Sequence, residues 1–173
     1  MNSAQLLTPR ILWFSILSAT VVFLVLPVSQ SDPASGATLF LPLTLAALGC
    51  GIASVVLPLH LQRSALKRLK LSTIEVEDQE RAFGSIVPRR RAFKDADLAE
   101  HAALRVYQTS LILGLALAES IALDGFVLEF LAAGTKSVIP FFVASWLLIL
   151  VRFPRRSSVT GPLERVYGIG PLG

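Results

Sequence analysis

The stretch Leu111 to Phe130, LILGLALAESIALDGFVLEF, is long and apolar enough to cross a bilayer, yet it carries Glu119, Asp124 and Glu129. About 20 apolar residues in an α-helix span ~30 Å of hydrocarbon. Ionisable side chains at that depth are costly, so each is a functional candidate. The run is one of four, the others being Ile11 to Val28, Leu39 to Leu61 and Val138 to Val151. Hydrophobic residues make up 53% of the chain and charged ones only 16%, against roughly a quarter charged in soluble domains. The pattern predicts an all-α, polytopic membrane protein with four transmembrane helices arranged as two hairpins.

The predicted order is a short N-terminus over 1–10, spans over 11–28 and 37–61, a partly helical loop over 62–105, spans over 106–133 and 138–153, and a flexible tail over 154–173. Arg10 ahead of the first run resembles the start of a secretory signal. The run is longer than the roughly 7 to 15 residues of a signal core, and no small-x-small cleavage pattern follows, which favours an uncleaved helix. Trp13 and Tyr107 stand where aromatic rings favour the headgroup level.

Lys and Arg collect on cytoplasmic flanks. The 62–105 loop holds Arg63, Lys67, Arg68, Lys70, Arg81, Arg89, Arg90, Arg91, Lys94 and Arg105, and the residues after Val151 include Arg152, Arg155, Arg156 and Arg165. The loop after the first span has no basic residue and the turn near 134–137 has only Lys136. Both termini and the middle loop are therefore predicted cytoplasmic, in a bacterial inner (plasma) membrane. Arg63, Lys67, Arg68, Lys70, Arg152, Arg155 and Arg156 are candidate lipid-headgroup contacts, each worth ~1 kcal/mol near an anionic surface. The net charge of +4 follows from topology, and the middle loop mixes its basic residues with Glu75, Glu77, Asp78, Glu80, Asp95, Asp97 and Glu100. Nucleic-acid binding is not expected.

Within that loop, residues 62–70 are expected to prolong the second helix, Gly84 and Pro88 to break the chain, and Asp97 with Glu100 to open the third helix by a capping pattern. That helix then forms a rod of ~54 Å from Leu98 to Ala133. Cys50 is the only cysteine, so no intramolecular disulfide forms. No His, Cys, Asp or Glu grouping has metal-ligand spacing, and neither a GxSxG motif nor a phosphate-binding glycine loop occurs. His60 and His101, both near the cytoplasmic interface, are read as surface residues. No catalytic residues, metal or cofactor are expected.

Helical geometry limits what the acids do together. A five-residue step turns a side chain by about 140°, so Glu119, Asp124 and Glu129 point to three sides of their helix and share no dyad on it. Glu119 lies ~20 Å past Val106, at mid-membrane. Asp124 and Glu129 are nearer the outer surface, where Glu129 is placed to pair with Lys136. No Lys, Arg or His in the other spans reaches Glu119, which leaves Ser18, Thr20, Thr44, Ser54 and Ser145 as candidate hydrogen-bonding partners. Small residues form stripes: Gly114, Ala118 and Gly125 lie within about 40° of one another, and Ala47, Gly51 and Ser54 within about 60°. Such stripes allow close helix contact in lipid, and the expected contact is the second helix against the third.

A Gly- and Ala-rich helix, a polar basic loop and a returning helix reading ALAESIALDGFVLEFL resembles the proteolipid c subunit of rotary ATP synthases. That family's carboxylate helix reads Glu, four residues, Tyr, Gly. The resemblance implies that Glu119 is the ion-carrying carboxylate and Gly125 the glycine six residues on. Asp124 stands where the family has Tyr, the connecting loop is far longer than the family's polar turn, and an extra helix flanks the pair on each side. Otherwise the chain resembles uncharacterised bacterial four-helix membrane proteins.

Two functions follow as expectations. The first is a non-catalytic structural or accessory subunit of an inner-membrane complex, with the bilayer and other membrane subunits or further copies of the chain as partners. The alternative is a proton- or cation-handling protein that cycles Glu119 between protonated and ionised forms, with Asp124 and Glu129 as an outer relay.

Overall fold

A computed structural model describes residues 6–25, 33–69, 71–77, 89–131 and 135–168. Five helices and one hairpin follow in the order α1 (Leu7–Val25), α2 (Pro33–Arg68), β1 (Thr73–Glu77), β2 (Arg89–Phe93), α3 (Ala96–Phe130), α4 (Thr135–Val151) and α5 (Arg156–Tyr167). The chain is thus helical, with a two-stranded antiparallel sheet in the middle loop. The strands pair Thr73 with Phe93, Glu75 with Arg91 and Glu77 with Arg89. The expected break at Gly84 and Pro88 lies outside the described residues.

α3 is the spine. Its 35 residues make a rod of about 52 Å that packs against α1, α2, α4 and α5. It starts earlier than the Asp97 cap expected from sequence. Asp95, in extended conformation, is the N-cap, and its carboxylate accepts from the Leu98 amide at 2.9 Å. Asp97 falls instead in the first turn, where a negative charge favours the helix dipole. One core surrounds the N-terminal half of α3 and includes Trp13, Leu66, Ala103, Leu115 and Leu163. A second, around its C-terminal half, joins Ala47, Ile121, Leu128, Phe141 and Phe142.

Two tryptophans fasten α1 to α4 from opposite sides. Trp13 Nε1 donates to the Ile149 carbonyl at 2.7 Å, and Trp146 Nε1 donates to Thr20 Oγ1 at 3.0 Å. Each indole N–H is thereby satisfied inside the helix pack, away from water that would otherwise bond it.

Within the flexible tail expected over 154–173, the described residues give a correction: α5 is helical from Arg156 to Tyr167 and closes on Gly168 in left-handed conformation (φ 64°). Gly161 and Pro162 suggest a broken chain when read alone. Packing overrides them: Val159 and Leu163 are fully buried, and Tyr167 donates its hydroxyl to the Leu66 and Leu69 carbonyls at the end of α2. The Tyr167 ring also meets Phe93 edge-on, with centroids 5.3 Å apart. Arg156 Nη2 lies 3.7 Å from Glu100 Oε1, linking α5 to the start of α3.

Among the described residues two helices are long and apolar enough to cross a membrane, α2 from Leu39 onward and α3. Residues 138–151 and α5 together pass as a third only as a pair bent by 66°, and the apolar part of α1, Leu7–Phe23, is shorter. The described residues thus hold two or three candidate membrane spans by length and composition.

Candidate functional site

Glu119 and Asp124 are both half-buried, one on each shoulder of the buried face of α3, so they stay apart as the five-residue step requires. Glu129, also half-buried, is nearer the far end of α3; the Lys136 side chain expected beside it lies outside the described residues. No grouping of three or more metal-ligating side chains occurs among the described residues.

The hydroxyls proposed as partners of Glu119 spend their protons on their own helices. Ser18 donates to the Phe14 carbonyl, Thr20 to Leu17, Thr44 to Phe40 and Ser54 to Gly51, all at 2.7–2.8 Å. Such back-bonding to the preceding turn is common for Ser and Thr in helices. Ser145 Oγ is fully buried and has no hydrogen-bonding partner among the described residues.

The small-residue stripes divide between neighbours. Ala47 and Ser54 are buried, and a methyl built on Gly51 would meet Ile121 Cδ1 of α3 at an ordinary 3.7 Å. Ala118 is fully buried. Gly125 serves α4 rather than α2: a methyl there would lie 2.8 Å from Phe141 Cβ and 3.4 Å from Phe142 Cε2. At Gly114 the space a methyl would fill is occupied by the Arg152 guanidinium, with Pro58 Cγ 3.1 Å away.

That guanidinium marks a polar place within the helix pack. Arg152 follows α4 directly, and its Nη2 donates to the Ser54 carbonyl in α2. This carbonyl is open because the residue four positions on is Pro58, which has no N–H to give it. The same device recurs in α5. Pro162 leaves the Ser158 carbonyl without its helical donor, and Gln62 Nε2 donates to it at 3.4 Å. Both prolines, both side-chain donors and Ser158 line one cavity of about 440 Å³ between α2, α3 and the α4–α5 break. Tyr107, whose hydroxyl hydrogen-bonds the Ser158 side chain, and Arg165 complete its polar wall.

Of the expected headgroup residues, Arg63, Lys67 and Arg68 are exposed at the end of α2, as is Arg155 beside the bend, while Lys70 is outside the described residues. Arg156 points to Glu100. Of the described ones, Arg152 alone turns inward to the cavity. Sequence reasoning missed Gln62, Arg165 and the two prolines as parts of one place. The signal was a proline inside an otherwise helical stretch, which frees a carbonyl one turn earlier.

Compared with protein-family models, curated proteins and solved structures, the chain matches none.

Proposed function

We propose that the chain is a four-span protein of the bacterial inner membrane that works without catalysis, as a structural or accessory subunit of a membrane complex. In this reading α1 to α4 cross the bilayer, and both termini, the hairpin and α5 lie on the cytoplasmic side with the Lys- and Arg-rich flanks. α5 carries Arg156, Glu164 and Arg165, a composition suited to the interface rather than to hydrocarbon.

The observation that carries the reading is the outward face of α2. Only 11% of its most apolar stretch is buried, against 44% for α3. Leu41, Leu45, Leu48, Ile52 and Val56 all point away from the bundle. α2 therefore offers a long apolar surface to lipid or to a neighbouring subunit. The acids fit a structural role in being separate from one another along α3.

Glu119→Gln tests the reading. A structural subunit extracts from the membrane in native-lipid particles of unchanged size after this substitution, and neither form dissipates a pH gradient when reconstituted in vesicles. Dissipation by the wild-type chain and its loss in Glu119→Gln would replace this reading with the ion-handling one, which the likeness of the Glu119 helix to a c subunit motivates.

A further inference from the structure

The polar cavity beside the α4–α5 bend has an apolar continuation that a purely structural subunit does not require. A groove of about 630 Å³ lies against α2 and α4, lined by Leu48, Ile52, Phe141 and Ala144 with Thr44 as its one hydroxyl-bearing residue. Val55 and Leu148 line both the groove and the cavity, so the two meet.

We propose that cavity and groove together bind one anionic phospholipid, its phosphate between Arg152 and Arg165 and an acyl chain along the groove. The lining of the cavity includes these two arginines and no carboxylate. Arg152 uses a donor on the Ser54 carbonyl, and a guanidinium has five, arranged in a planar fork that suits phosphate oxygens. Ser157 and Ser158 add hydroxyls from the first turn of α5, whose N-cap makes no side-chain bond, so the positive end of that helix adds to the field. The arginines stand at the same end of the bundle as Arg63 and Lys67, the level of the headgroups in the topology proposed above. A free phosphate would leave the groove empty, and a zwitterionic lipid would bring an ammonium group towards two guanidiniums.

The inference rests on the membrane reading and is independent of the subunit one. Its test is native mass spectrometry of the full chain in detergent, titrated with phosphatidylglycerol and with phosphatidylcholine of identical acyl chains. The expected result is one phosphatidylglycerol per chain, held about tenfold more tightly than phosphatidylcholine, whose ammonium would face the two guanidiniums. Arg165→Gln, at an exposed position, should remove most of that preference. Ala144→Trp, which fills the groove, should weaken both lipids alike. Equal binding of the two lipids, indifference to both variants, or displacement of the lipid by an equal concentration of inorganic phosphate would overturn the site. A chain that stays dispersed without detergent would overturn the membrane reading with it.

Discussion

Ser145 and Pro58 show how much a single position decides here. The Ser145 hydroxyl is buried without a partner among the described residues, and a buried polar group left unbonded costs about 1–3 kcal/mol. Ser145→Ala is therefore expected to raise the stability of the purified protein by about 1 kcal/mol, measured by thermal unfolding in detergent. Pro58 acts through what it lacks. Pro58→Ala returns a backbone N–H to the Ser54 carbonyl, so Arg152 loses its acceptor and becomes more reactive towards phenylglyoxal, read by mass mapping of the modified arginine. No increase in modification would mean that Arg152 is held by something other than Ser54.

At the scale of elements, the contacts of α3 differ in tightness. Against α4 the backbone approaches so closely that Gly125→Ala forces a methyl into the Phe141 Cβ, which has no rotamer by which to leave. The expected loss is about 1–3 kcal/mol, the usual cost of overpacking. Gly51→Ala, facing Ile121 at ordinary contact distance, should change the same unfolding midpoint little. The rods themselves were legible from sequence, because apolar runs of this length leave few alternatives to a helix. So was the extension of α2 past the apolar region, as far as Arg68. The hairpin and α5 were not. β1 and β2 are each five residues long, too short for a periodicity to stand out among charges. α5 contains a Gly-Pro pair that local propensity assigns to a turn, and its docking on α2 and α3, through buried Val159 and Leu163 and through Tyr167, holds it helical. The three acids were legible as residues but not as a site, since their surroundings depend on which helix lies beside each shoulder of α3. Arg152 was legible as a headgroup contact at a helix end, while its inward turn depended on Pro58, far away in sequence.

For the molecule as a whole, the end of the bundle that carries α5 is assembled from distant parts of the chain. Gln62 meets Ser158, Tyr167 meets Leu66, and Arg152 meets Ser54, at sequence separations of 96, 101 and 98 residues. A chain ended after Val151 keeps α1 to α4 but loses all three ties. It should be cleared faster than the full chain in a pulse-chase experiment, and adding Pro58→Ala to the shortened chain should recover part of its lifetime by closing the open carbonyl from within α2. The Arg152–Ser54 bond also sets a schedule for biosynthesis. α2 emerges with a carbonyl that nothing nearby in the chain satisfies, and its donor is made 98 residues later. At about 5–20 residues per second, the nascent helix waits roughly 5 to 20 s for Arg152 to appear. During that interval the insertion machinery, or water drawn in beside it, must shelter the gap.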